Sequence, residues 1–190
     1  SMAIAGRAVS GLFDTFEIML YRSIIGFFVV LILARFLGTY REISLKDIKL
    51  HVLRNIFHFV GQNLWFFALP LIPLAQLFAL EFTSPLWVII IASLLLGEKL
   101  TRKKILLAVV GFLGVLIIAR PDFSAINIGV LSGATSAIGF AATAILTRKL
   151  TLQNSLTNIL FYLTSLQIIF AFLKLSRSVI IIFSTLNFFA

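Results

Sequence analysis

The chain has 190 residues, of which 61% are hydrophobic and only 12% are charged, and its mean hydropathy is +1.11. A soluble domain carries about 25% charged residues, so this composition excludes a soluble globular protein and indicates an integral membrane protein. The formal net charge is +9, and the absence of cysteine excludes disulfides, zinc fingers and thiol catalysis.

Six apolar segments have about the 20 residues that a helix needs to cross a membrane. They are residues 16–38, 51–70, 74–96, 103–120, 127–147 and 156–173. A seventh apolar run, 178–190, is too short for a further crossing. The sequence therefore predicts an all-α, polytopic transmembrane helix bundle.

Basic residues concentrate in alternate loops of this predicted bundle. The loops at 39–50, 97–104 and 148–156 carry lysines and arginines, and Arg54 flanks the first of them, whereas 69–75 carries no charge. Because lysine and arginine accumulate on the cytoplasmic side, we expect these three loops to be cytoplasmic. Topology accounts for the positive charge, so the predicted partner is the lipid bilayer and not nucleic acid.

A weak internal repeat relates residues 3–23 to residues 144–164 without gaps, at an offset of 141. The identical residues are Ala3, Ile4, Arg7, Ile18 and Tyr21, which meet Ala144, Ile145, Arg148, Ile159 and Tyr162. An offset of five spans predicts two repeats of opposite orientation, as in many secondary transporters. We expect a first repeat at 1–121, with its first span mostly missing, and a truncated second repeat at 122–190. Chance similarity between two membrane helices is the alternative.

Residues 66–121 resemble the EamA domain of the drug/metabolite transporter superfamily. The similarity lies in Thr83-Ser84-Pro85, in Gly97-Glu98 at the end of that span, and in the run GFLGVLII before Pro121. Arg22 and Asn63 also fall where such proteins carry polar residues.

This resemblance implies a ten-helix transporter of small metabolites, which we expect in the cell inner membrane. The sequence has no nucleotide-binding loop, metal motif or serine or carboxylate catalytic constellation, so we expect no enzymatic activity, no metal and no cofactor. Residues 174–190 depart from the family pattern. The alternative is therefore a truncated, non-transporting remnant, or a subunit whose missing helices come from a second copy or from a partner chain.

Glu81 is the only charged residue between Arg54 and Glu98, and Pro85 follows it four residues later. A carboxylate facing lipid costs a few kcal/mol, so we expect Glu81 to face the bundle interior and to pair with Arg22. Pro85 removes the backbone hydrogen bond to the Glu81 carbonyl, which predicts a kink and a free carbonyl. The kinked segment is either part of a substrate or cation site, or a structural ion pair.

Polar residues on five spans are predicted at one depth, roughly 10 Å from the outer surface at about 1.5 Å per residue. The predicted span at 156–173 contributes Gln167 to this layer. Asn55, His58, Gln62 and Trp65 recur at spacings of three and four, a stripe that either lines a pathway or bonds neighbouring helices. The predicted substrate contacts are Arg22 and Glu81 for charge, Trp65 and Trp87 for apolar walls, and Gln62, Asn63, Thr83, Ser84 and Thr135 for hydrogen bonds.

Overall fold

The computed structural model describes residues 15–97, 101–119 and 127–188, with side chains as far as residue 174 apart from those of 96, 118 and 119. These ranges form seven α-helices and contain no strand. The helices are α1 (Thr15–Phe36), α2 (Ile48–Ala68), α3 (Leu74–Glu81), α4 (Ser84–Leu96), α5 (Arg102–Ala119), α6 (Ile128–Thr151) and α7 (Leu156–Phe188). The all-α prediction is confirmed.

Four segments of the described chain are long and apolar enough to cross a membrane. They are Thr15–Phe36, Leu74–Leu95, Ile128–Thr151 and Leu156–Lys174. Helices α2 and α5 occupy the two remaining predicted spans, 51–70 and 103–120. The chain is a multi-pass membrane protein.

The last helix differs from the prediction. Instead of ending near residue 173 before a separate apolar run, α7 continues unbroken to Phe188. Residues 174–188 contain neither glycine nor proline, so nothing in this segment ends the helix. Glu98, Pro121 and the 3–14 part of the internal repeat lie outside the described residues.

Local sequence explains where several helices begin and end. Gly38 follows α1 with φ of 73° and Gly97 follows α4 with φ of 65°, a left-handed conformation that glycine adopts without a steric penalty. The side chain of Asn127 accepts a 3.0 Å hydrogen bond from the backbone N–H of Val130, which caps the start of α6.

Helices α1 and α7 pack antiparallel along their length. The ammonium group of Lys174 lies 5.7 Å from the ring of Phe16 near the start of α1. Beyond the other end of α1, Thr157 donates a 2.9 Å hydrogen bond to Thr39. The N-terminal part of α1 therefore packs against the C-terminal part of the side-chain-resolved α7, and the C-terminal end of α1 lies near the start of α7.

Helices α2 and α6 make the most extensive contact in the described bundle. They approach closely at two glycines, since a Cβ on Gly139 would lie 3.0 Å from the Cα of Gly61 and 3.2 Å from the carbonyl oxygen of Phe57. The small residues let the two backbones meet, as is common between membrane helices.

The main hydrophobic cluster lies beside this pair, where α1, α2, α3 and α6 meet. Its buried members are Met19, Trp65, Phe66, Ala68, Leu69, Ile72, Leu77, Leu80 and Val130. Gly129 and Gly133 on α6 face its leucine and isoleucine side chains. The cluster fixes α3 against α2, and so positions the glutamate at the end of α3.

Candidate functional site: a polar layer inside the bundle

The predicted span at 74–96 is broken into α3 and α4 at Phe82 and Thr83. Pro85 lies in the first turn of α4, where its missing N–H costs nothing because the first helical N–H groups have no partner within the helix. The N–H of Phe82 still bonds the carbonyl of Phe78 at 2.9 Å, and the N–H of Leu86 bonds the carbonyl of Thr83 at 2.9 Å. The predicted interruption at Pro85 is thus confirmed as a break between two helices.

The expected free carbonyl at Glu81 is not present. The hydroxyl of Ser84 donates to this carbonyl at 2.6 Å, and the same hydroxyl lies 3.2 Å from the carbonyl of Ala137 on α6. The hydroxyl of Thr83 likewise donates to the carbonyl of Leu80 at 2.6 Å. The carbonyl of Leu80 also accepts a 3.0 Å hydrogen bond from the backbone N–H of Thr83. The carbonyl of Glu81, which loses its backbone donor at Pro85, is therefore satisfied by the Ser84 hydroxyl inside the bundle, where water is not available.

The half-buried carboxylate of Glu81 accepts a 2.8 Å hydrogen bond from the indole N–H of Trp65. Trp65 lies on α2 and is only 4% exposed. The bond joins the end of α3 to the neighbouring helix and holds the carboxylate inside the bundle, as expected from its cost in lipid.

Arg22 lies on α1, and its guanidinium group donates to Gln62 on α2 at 2.8 Å. It also lies 3.5 Å from the side-chain oxygen of Gln167 on α7. Ser23 donates to the same Gln167 oxygen at 3.3 Å. Three helices thus meet around one arginine, and Gln62, Ser23 and Gln167 are all buried.

The expected Glu81–Arg22 ion pair is wrong for this structure. Among the described contacts, Glu81 bonds Trp65 and Arg22 bonds Gln62 and Gln167. Glu81 contacts α2 at Trp65 and Arg22 contacts α2 at Gln62, so the two contacts lie about one helical turn apart. Gln62 and Trp65 lie three residues apart, so the two groups contact the same face of α2 without contacting each other.

The stripe on α2 faces the bundle interior, as its spacing predicts. Asn55 is completely buried and Gln62 is 6% exposed, so both belong to the interface between helices. Trp65 was expected to offer an apolar wall, but its ring is buried in the hydrophobic cluster and packs edge-on against Phe66 at 5.3 Å. In this conformation Trp65 holds Glu81 and has no open face.

Three further predicted contacts bond within their own helix or turn instead of joining the layer. Asn63 donates to the carbonyl of Phe59 at 2.7 Å, and Thr135 is exposed and donates to the carbonyl of Leu131 at 2.8 Å. Thr83 serves the helix break described above. Trp87 is half-buried on α4 and makes no described hydrogen bond with the layer.

Two members of the layer were not among the predicted substrate contacts. Gln167 is 2% exposed, and its side-chain nitrogen has no hydrogen-bond partner within the described structure. The sequence did offer a signal for Gln167, because it is a lone amide in an apolar span at the predicted depth of Arg22. Ser23 gave no signal, because a single serine is common in membrane helices.

Comparison with known proteins places these features in a family. The profile of the EamA-like transporter family matches residues 1–120. The chain is 29% identical over 150 residues to an S-adenosylmethionine uptake transporter of Rickettsia prowazekii, covering 78% of this chain and 50% of the relative. It is 30% identical over 147 residues to the pseudopaline exporter CntI of Pseudomonas aeruginosa, covering 77% and 51%.

A riboflavin transporter of Brucella anthropi is 34% identical over 111 residues, covering 58% of this chain and 39% of the relative. The chain spans about half the length of the curated relatives it matches. No solved structure matches it significantly. The family match extends over more than half of the residues, and the chain belongs to the EamA-like transporter family.

Proposed function

We propose that the chain forms part of a transporter that moves a small polar or amphipathic metabolite across the membrane by alternating access. The observation that carries this proposal is the partly buried contact of Arg22 with Gln62 and Gln167 inside apolar helices. Arginine within a membrane bundle is costly and usually marks a functional position. Relatives named as transporters of S-adenosylmethionine, riboflavin and pseudopaline support a metabolite as the substrate.

The proposed binding layer offers two opposite charges that are not paired with each other. Arg22 forms a hydrogen bond with Gln62, and Glu81 forms one with Trp65. Trp65 lies about 4.5 Å further along the axis of α2 than Gln62. A substrate with both a carboxylate and an amine would contact both groups. We therefore propose a zwitterionic metabolite in preference to a singly charged one.

An inverted repeat accounts for the packing of α1 against α7. With the offset of 141 residues, the contact of Ser23 with Gln167 corresponds to the contact of Gly26 with Thr164, and both are present. Antiparallel packing of corresponding helices is what a two-fold axis in the membrane plane requires. This supports repeats at 1–121 and 122–190.

The proposed location is the inner membrane, with the loops 39–50, 97–104 and 148–156 in the cytoplasm. Hydrogen bonds between two of these loops support a common side. Asn154 donates to the Asp47 carboxylate at 2.8 Å, and the ammonium group of Lys46 donates to the carbonyl of Gln153 at 3.2 Å.

The rest of the pathway would come from further helices of the same polypeptide, a second copy or a partner chain. The alternative is a remnant that does not transport. Cross-linking in native membranes distinguishes these arrangements. A native polypeptide clearly larger than 21.1 kDa supports further helices of the same polypeptide. For a polypeptide of 21.1 kDa, a cross-linked product of two chains supports assembly, whereas a single uncombined chain supports the remnant.

Uptake by proteoliposomes tests the proposal. We would measure entry of radiolabelled S-adenosylmethionine and riboflavin for the unchanged chain, for Arg22→Gln and for Glu81→Gln. The matched control is Arg35→Gln, which removes an exposed arginine near the end of the same helix.

We expect Arg22→Gln to reduce uptake roughly tenfold or more, since hydrogen bonds to charged groups contribute about 1.5–3 kcal/mol. Arg35→Gln is expected to transport normally. Equal uptake by Arg22→Gln, Glu81→Gln and the unchanged chain would exclude the polar layer as the substrate site. No uptake by any of them would show that this chain alone does not form the pathway.

A further inference from the structure

An apolar groove of ≈ 640 Å³ lies between α4, α5 and α6. Arg22, Gln62 and Glu81 of the polar layer are not among the described residues that line it. Each of the three helices contributes apolar side chains to its wall, among them Val88 and Ile89 of α4, Leu107 and Ala108 of α5, and Phe140 and Ala144 of α6. The groove is therefore a separate, mainly hydrocarbon surface.

The groove is open along its side. Pro85, Leu107 and Ala144 line it and are all exposed, one on each helix. Gly111 lies one turn beyond Leu107 on α5, and a Cβ there would meet nothing within 4 Å in the described structure. The described helices therefore leave a lateral opening, through which a molecule in the bilayer can reach the groove without crossing the polar layer.

The inner end of the groove offers no hydrogen-bond donor to a ligand. Ser84 is the hydroxyl residue among the described lining, and its hydroxyl lies 2.6 Å from the carbonyl of Glu81 and 3.2 Å from the carbonyl of Ala137. A serine has one O–H to donate, and these carbonyls already take it. This end of the groove suits a hydrocarbon chain.

The opposite end of the groove carries a positive charge. Lys104 lines the groove and lies two residues, about 3 Å, after the start of α5. Ser84 lies twelve residues, about 18 Å, before the end of α4 on the same side of the bundle. The groove therefore runs from a charged mouth near the helix ends into the apolar middle of the bundle.

Further basic side chains lie at the same end of the bundle. Arg102 and Lys103 precede Lys104 in the first turn of α5, which contains no acidic residue, and Arg148 and Lys149 lie in the last turn of α6. Basic residues that flank a gap between membrane helices attract anionic lipid headgroups. The charge at the mouth is thus complementary to a phosphate, and the wall behind it to an acyl chain.

We propose that this groove binds an anionic phospholipid of the cytoplasmic leaflet, with an acyl chain between α4, α5 and α6 and the phosphate at Lys104. The ammonium group would donate a charge-assisted hydrogen bond to the phosphate. The acyl chain would supply the contacts that the open walls of the groove lack. The site does not depend on the proposed transport function, and only the choice of leaflet rests on the proposed orientation of the loops.

Native mass spectrometry of the full chain in a mild detergent tests this proposal. The chain is titrated with dioleoyl phosphatidylglycerol, which is anionic, and with dioleoyl phosphatidylcholine, which has the same acyl chains and no net charge. Each bound lipid is identified by its mass. The same spectra separate single chains from pairs, and so distinguish a lipid from a second copy of the chain in the groove.

Two variants address the two ends of the groove. Lys104→Gln removes the charge at the mouth, and its matched control is Lys103→Gln, an exposed lysine that is not among the described lining residues. Ala144→Phe fills the groove from an exposed position on α6. Its matched control is Leu131→Phe, which places the same ring at another exposed position of α6, outside the described lining.

We expect the unchanged chain to bind one phosphatidylglycerol in preference to phosphatidylcholine. Lys104→Gln should weaken this binding about fivefold, the effect of one lysine at an anionic lipid surface. Ala144→Phe should abolish the complex with one lipid, because the ring occupies the place of the acyl chain. Lys103→Gln and Leu131→Phe should bind like the unchanged chain.

Equal binding of the two lipids by the unchanged chain would overturn the proposal, and so would unaltered binding by Lys104→Gln. Pairs of chains that Ala144→Phe separates would assign the groove to a second copy and would also overturn it. Because Lys104 is exposed, its replacement is compatible with folding. The comparison of Lys104→Gln with Lys103→Gln therefore decides the matter even if Ala144→Phe does not fold.

Discussion

At the scale of single residues, Ser84 shows how a membrane helix is interrupted without leaving polar backbone groups exposed. Its hydroxyl serves the carbonyl of Glu81 in the break and approaches the carbonyl of Ala137 on α6. The sequence predicts the interruption, because the effect of Pro85 on the backbone is local. It does not predict the compensation, because the rotamer of Ser84 depends on the helix packed against it.

Ser84→Ala is expected to lower stability by about 1–2 kcal/mol, because a buried carbonyl loses its hydrogen-bond donor. Thermal unfolding in detergent measures this effect. Ser165→Ala is the matched control, since among the described contacts the hydroxyl of Ser165 bonds only the carbonyl of Phe161 in its own helix. Equal unfolding temperatures for the two variants would show that Ser84 does not stabilise the break.

The partners of Arg22 and Glu81 mark the limit of sequence reasoning at this scale. Depth along a helix follows from counting residues, so the shared level of Arg22, Gln62 and Glu81 could be predicted. The choice of partner depends on how each helix is rotated about its axis. In this structure the rotation of α2 turns Trp65 toward Glu81, and Arg22 forms hydrogen bonds with Gln62 and Gln167 instead.

At the scale of helices, the crossing of α2 and α6 depends on Gly61 and Gly139. The stripe on α2 predicts which face is buried, but not the depth of the crossing, which is set by two glycines 78 residues apart in the sequence. Gly111 on α5 differs, because a Cβ there would meet nothing within 4 Å in the described structure.

Gly139→Ala should destabilise the bundle by about 1–3 kcal/mol, since the new methyl group would meet backbone atoms of α2 that cannot move independently. Gly111→Ala, the matched control, should be neutral or up to about 1 kcal/mol more stable, because alanine favours the helix. Thermal unfolding of both variants gives the comparison. A destabilised Gly111→Ala together with an unaffected Gly139→Ala would contradict the described packing.

At the scale of the whole molecule, composition alone establishes a multi-pass helical membrane protein, and residues 66–121 are enough to indicate its family. The antiparallel packing of α1 and α7 adds support for two repeats that sequence similarity suggests only weakly. Arg54 shows what topology rules miss. A basic residue next to a basic loop is expected at the surface, whereas its side chain lies between helices.

We propose that the polar layer around Glu81 and Arg22 lines a path for a water-soluble substrate. The most direct test introduces Glu81→Cys into this cysteine-free chain and applies a membrane-impermeant thiol reagent to intact cells. Ala79→Cys is the control, because Ala79 lies on the same helix and is only 1% exposed. We expect labelling at position 81 and none at position 79. Labelling of Glu81→Cys only after unfolding in detergent would contradict the claim and make the Glu81–Trp65 bond a structural contact.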